Sequence, residues 1–369
     1  MAKTGIMVCG HGSRSKAAET EFSGLARRLK ERYPQTPVEY GFLEYSAPNI
    51  HMGLDALVES GVDEIVAVPG MLFAATHAKN DIPSVLTTFQ QRHPHITMRY
   101  GRELGLHPQM IAAFEARILQ ALGRDHVHDG DLYDTMLVVV GRGTSDTLAN
   151  AEAARLTRIV TENLGFGWSE TVYSGVTFPS VGRGLELALK LGYRKIVVAP
   201  YFLFTGRLID RIYGYVDRIA ETAPEVQIVK AHYLSDQDHV IDTFVARIEE
   251  AQSDAVAGAH DLMTSFKDRL ARGEVSVHHH HAEYRDPLDD DHLDAGHDHD
   301  HDHDHDHDHD HGHHHHHGHG HSHGVYKHIA HPNGPRTMID QGVCCCFMSQ
   351  FPQAVIDEER DTRAGSPTD

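Results

Sequence analysis

The first third of the chain alternates short apolar runs with longer stretches in which apolar residues recur every three or four positions. The runs Ile6 to Cys9, Val38 to Leu43, Ile65 to Pro69 and Ile96 to Tyr100 predict strands, and Ala17 to Tyr33, Ile50 to Ser60, Lys79 to Arg92 and His107 to Leu122 predict helices. Strands that are apolar throughout are buried on both faces, and strands separated by helices pair in parallel. The pattern therefore predicts an α/β fold with doubly wound parallel sheets. In such sheets ligands sit beyond the carboxyl ends of the strands, where the following loops converge.

The same succession returns from Thr135 to Glu250. A shift of 131 residues lays Gly10-His11-Gly12 on Gly141-Arg142-Gly143, Pro48 on Pro179, Gly61 on Gly192, Pro69 on Pro200 and Leu72-Phe73 on Leu203-Phe204. After one deleted residue Pro94 meets Pro224. The chain is read as one unit used twice, over 1–125 and 132–252, with the cleft between the lobes as the place for a ligand. A further helix is expected within 253–277, over Ala255 to Arg272.

Composition changes abruptly beyond that point. Of 34 histidines, 23 lie between His278 and His331, and residues 278–369 hold 19 acids against 5 bases of a chain whose net charge is -20. Segment 278–331 has too few apolar residues to build a core, so it is expected to be a disordered His/Asp-rich tract that binds divalent metal. Segment 332–369 is expected to be a flexible tail. The body that remains is only mildly acidic, which disfavours nucleic acid or an anionic membrane as a partner. No run of about 18 apolar residues and no exported leader is evident, and four cysteines give no disulfide framework. A soluble, cytoplasmic protein, monomeric or weakly oligomeric, is expected.

The two copies differ where chemistry is carried. His11 after the first strand, Glu44 at the end of the second and His77 in the loop after the third become Arg142, Gly175 and Arg207 in the second copy. Two imidazoles and a carboxylate suit Co, Ni, Fe or Zn as divalent ions, and three protein ligands leave positions open for an incoming group. The same groups can accept protons. Guanidinium groups at the matching positions suit a substrate rich in carboxylates. Ser13, Ser46 and Lys79 stand near the same strand ends as candidate hydrogen-bond donors. Taken singly, His11 could instead cap a helix, and its Gly-flanked loop could cradle a phosphate or carry phosphohistidine chemistry. A metal-storage scaffold is the other alternative. No Gly-x4-Gly-Lys-Ser/Thr loop is present, so no nucleotide is expected.

With GHGSR after the first strand, FLEYSAPNI after the second and VPGMLFAATHAKNDIP after the third, residues 3 to about 250 resemble the class II chelatases of the CbiX and SirB kind. The resemblance implies two tandem flavodoxin-like, chelatase-type lobes. It implies insertion of Co2+, or of Fe2+ or less readily Ni2+, into the tetrapyrrole sirohydrochlorin. It also implies that His11, Glu44 and His77 bind the metal or handle protons, with Arg142, Arg207, Ser13 and Ser46 contacting substrate. Some long members carry an iron-sulfur centre on spaced cysteines. Here Cys344, Cys345 and Cys346 are contiguous, and neighbouring side chains diverge too far to converge easily on one cluster.

Overall fold

The computed structural model describes residues 3–144, 146–175, 177–253 and 261–277, together with Ala354. The His/Asp-rich tract, the tail and the Cys344–Cys346 run lie outside the described residues. The first copy folds as β1 (Thr4–Gly10), α1 (Lys16–Arg32), β2 (Val38–Phe42), α2 (Ile50–Glu59), β3 (Glu64–Pro69), α3 (Ile82–Arg92), β4 (Thr97–Tyr100) and α4 (Pro108–Ala121). The second follows as β5 (Thr135–Gly141), α5 (Thr147–Leu164), β6 (Trp168–Tyr173), α6 (Val181–Leu189), β7 (Lys195–Pro200), α7 (Arg207–Thr222), β8 (Gln227–Lys230) and α8 (Asp238–Gln252). Helix α9 (Leu262–Ala271) ends the described body, shorter than the expected helix because residues 254–260 are not described.

Each copy forms a parallel four-stranded sheet, ordered β2-β1-β3-β4 and β6-β5-β7-β8. Ile6, Met7, Val8 and Cys9 are wholly buried, as are Leu137 to Val140, because helices cover both faces of each sheet. The chain steps from β1 to one side and then crosses to the other, so the winding reverses between β1 and β3. That switch point is where an open α/β sheet leaves a crevice at its strand ends, and His11 and His77 follow those two strands.

The pattern of apolar residues does not reveal which sheet a helix covers. Helices α2 and α3 cover the outer face of the first sheet with Leu54, Leu57, Ile82 and Phe89, and α6 and α7 cover the outer face of the second with Leu185, Ile209 and Ile212. Between the sheets lies one shared core, in which Phe22 and Leu25 of α1, Phe114 of α4, Leu156 of α5 and Phe244 of α8 meet Val66, Val139 and Tyr201. Here the last helix of each copy crosses to the other: α8 packs on β3 and β4, and α4 packs on β7. Arg247 of α8 is buried and donates to the Leu104 carbonyl at 2.9 Å. Conversely Tyr201, at the end of β7, donates to the Gly105 carbonyl at 3.2 Å and stacks edge-on against Phe114 with centroids 5.1 Å apart. The exchange makes the two copies one folding unit.

A shared core unfolds as a whole. Denaturation followed by far-ultraviolet circular dichroism and by the fluorescence of Trp168, the single tryptophan, should give coincident transitions, and Phe114→Ala should lower stability by about 3–5 kcal/mol on both probes together. Two separated transitions would show that the lobes fold independently.

Candidate active site

The loops after β1, β2 and β3 meet because glycine lets them. Gly12 has φ +96°, and a Cβ there would stand 1.7 Å from the Glu44 carbonyl oxygen, so no other residue fits between the first two loops. The backbone N–H of Glu44 donates to the His11 carbonyl at 3.0 Å. Ser46 closes the same junction: its hydroxyl accepts from the Ser13 N–H at 3.0 Å and donates to the Ser13 carbonyl at 2.9 Å. After β3 the chain makes a π-helical turn, His77–Asp81, before α3. That turn is held from three sides. Tyr100 donates to the Ala78 carbonyl at 3.0 Å, and Arg269 of α9 donates to the Lys79 carbonyl and to Asn80 Oδ1 at 2.7 and 2.6 Å. Lys79 pairs with Asp146, the residue that caps α5 in the other lobe.

These loops bring His11 and His77 edge to face, with Nε2 to Nε2 at 3.1 Å. The other ring nitrogen of each is committed to an oxygen. His11 Nδ1 stands 3.0 Å from the Gly12 carbonyl, and His77 Nδ1 stands 2.6 Å from the Asp81 carboxylate. Both oxygens accept, so both Nδ1 atoms carry the proton when the rings are neutral, and the two Nε2 lone pairs face each other. Two lone pairs so placed can donate to one cation. An ion at the usual metal–nitrogen distance from both would subtend an N–metal–N angle of about 95–100°, which suits open octahedral or distorted tetrahedral coordination.

The pair lies on the wall of a cavity of about 820 Å³ between the lobes, near the upper end of the about 300–1,000 Å³ usual for small-ligand sites. Phe42, Met71, Leu72, Phe73, Tyr201 and Phe204 give it apolar walls. His11, Ser13 and His77 face it from the first lobe and Arg142 and Arg207 from the second. Arg14, beside them, lies over the Tyr45 ring at 5.0 Å. Glu44 and Ser46 do not themselves line the cavity. Glu44 acts on His11 through its charge, and Ser46 is engaged with Ser13. Among the described residues no three His, Cys, Asp or Glu side chains are set to hold one ion together, so the structure joins the two histidines without Glu44 as a third ligand.

Asp81 is the residue that sequence reading missed. The signal was the spacing His77 to Asp81, one turn apart, obscured because the helix was expected to begin at Lys79.

Burial first, then the neighbouring charges of His77 and Arg142, push His11 down from 6.5 to about 4. A histidine with a folded value below its unfolded one favours the neutral folded form. Stability is thus intact above about pH 6.5 and lost as the pH falls from there toward 4. Chelator-treated protein should lose more stability across that window than a His11→Gln variant, which takes up no proton there; equal losses in denaturant titrations would contradict the assignment.

Comparison with known proteins agrees with this layout. The sequence model of the CbiX family matches residues 5–121 and again 136–251, the two copies seen above. The chain is similar to the sirohydrochlorin cobaltochelatase of Priestia megaterium, 34% identical over 246 residues covering 66% of this chain and 79% of that one. It is also similar to the sirohydrochlorin ferrochelatase of the same organism, 30% identical over 233 residues covering 63% and 84%. Among solved structures, the sirohydrochlorin chelatase SirB from Bacillus subtilis subspecies spizizenii in complex with cobalt superimposes with a TM-score of 0.58 at 26% identity, over 70% of this chain and 99% of that one. SirB from Bacillus subtilis with Fe3+ gives 0.61 at the same identity and coverage. With both halves of its body matched in register, the chain belongs to the CbiX family of class II chelatases.

Proposed function

We propose that the protein inserts Co2+ into sirohydrochlorin, in the sense of cobalamin synthesis, with Fe2+ insertion for sirohaem as the alternative. The supporting observation is the pair of facing Nε2 lone pairs on the wall of a cavity whose opposite side presents Arg142 and Arg207. The acidic side chains of the tetrapyrrole pair with those guanidinium groups, and its macrocycle lies along the apolar walls. Ser13 donates to a carboxylate at the rim, and Ser46 serves by holding Ser13 in place. His11 and His77 present the metal substrate to one face of the ring. Metallation releases two N–H protons for each divalent ion, and His77, once it lets go of the metal, exposes a lone pair that can take them in turn and pass them to water. Glu44 contributes negative charge that reaches His11, which favours a cation there.

Cobalt is preferred on the similarity to the cobaltochelatase. An N/N donor pair by itself binds along the first-row series without distinguishing the metal that is inserted. Anaerobic incubation of the full chain with sirohydrochlorin and Co2+, Fe2+ or Ni2+, followed by absorption, should show cobalt inserted fastest. His11→Ala and His77→Ala should each lower turnover by about 10²-fold or more. Faster insertion of iron would transfer the assignment to a ferrochelatase, and no metallated product with any ion would leave metal storage as the reading.

The His/Asp-rich tract follows α9, whose Arg269 grips the turn bearing His77, and this supports a role as a delivery arm for metal. Deleting residues 278–331 should slow insertion at limiting metal and leave the rate at saturating metal unchanged; unchanged kinetics in both regimes would reject delivery.

A further inference from the structure

We infer that Asp81 is a positioning residue of this site: its carboxylate holds the Nδ1–H of His77 and so keeps the Nε2 lone pair of that ring turned toward the metal. The inference rests on the chelatase reading. Its footing is a carboxylate only 6% exposed, on the turn after β3, with an oxygen 2.6 Å from His77 Nδ1. A carboxylate taken out of water is costly unless hydrogen-bonded, and this one meets the ring nitrogen that faces away from the cavity. Without it the imidazole is free to carry its proton on either nitrogen. One of the two tautomers would then aim an N–H at the place a cation must occupy.

The internal repeat supplies an independent observation. The register that lays His77 on Arg207 also lays Asp81 on Arg211, so the lobe that lacks the histidine lacks its carboxylate as well. Arg211 instead donates to the Ser174 carbonyl at 2.8 Å, a contact inside its own lobe. The π-helical turn goes with them, since α7 begins directly as an α-helix at Arg207, so imidazole, carboxylate and turn occur together in one lobe and are replaced together in the other. The turn does not need the carboxylate as an anchor, since Tyr100 and Arg269 already hold its backbone. His11 is held differently, by the neutral carbonyl of Gly12. The two rings are therefore oriented by unlike acceptors, and only the His77 side is held by a side chain that substitution can remove.

The test compares the full chain with Asp81→Asn, Asp81→Ala and His77→Ala, measuring cobalt insertion into sirohydrochlorin with free Co2+ fixed by a metal buffer, so that the histidine tract does not distort the metal concentration. Loss of a residue that orients a metal-binding imidazole typically weakens metal affinity about 10–100-fold. Both Asp81 variants should raise the KM for Co2+ by that factor, with the KM for sirohydrochlorin within about twofold of the parent and circular dichroism and Tm close to it. A purely structural role would move both KM values and the Tm together and would overturn the assignment. So would an Asp81→Asn variant with the parental KM for Co2+ beside an inactive His77→Ala, and this result would leave the chelatase reading standing. A parent that forms no metallated product would overturn both.

Discussion

Two imidazole nitrogens whose lone pairs point at one another repel unless a proton or a metal ion lies between them. His11 and His77 are held in that relation, because each ring spends its only N–H on an oxygen behind it. The protein opposes the proton, since burial and the nearby Arg142 push His11 well below its ordinary value. His11 therefore keeps its Nε2 lone pair at neutral pH, as a metal ligand must. What surrounds the histidines serves this relation: a glycine without which the first two loops would collide, a π-helical turn gripped by α9, and a carboxylate behind the second ring.

The doubling of the fold gives the site its two unlike halves. The first copy puts imidazoles at its strand ends. The second copy faces it with guanidinium groups at the equivalent positions, where charge is constant across physiological pH. The exchange of α4 and α8 between copies ties the lobes through one core, and Lys79 with Asp146 joins them again beside the cavity. The distance between the histidine pair and the guanidinium groups across the cavity is thus fixed by packing.

Much of this was legible in the sequence. Strand runs such as Ile65 to Pro69 announce themselves by unbroken apolar character, and the 131-residue repeat fixes the topology of the second lobe once the first is read. The loss of His11 and His77 from the second copy located the site. The helix exchange was not legible, because the apolar face of α8 reads the same whichever sheet it covers. Position at a strand end groups Glu44 with the histidines and offers Ser46 as a donor to substrate, but the turn after β2 directs Ser46 to Ser13 and leaves Glu44 off the cavity wall. Asp81 escaped notice because its meaning depends on which nitrogen of His77 it meets, and spacing alone carries no such information.

Before transfer the metal substrate is expected to sit at the facing nitrogens of His11 and His77. Crystals of the full chain equilibrated with Co2+ in the absence of tetrapyrrole, measured at the cobalt absorption edge, test it directly. An anomalous peak is expected in the interlobe cavity about 2.1 Å from both Nε2 atoms, with the two rings close to their present spacing. A cleft free of cobalt, with the imidazoles still in mutual contact at a metal concentration that supports turnover, would contradict it.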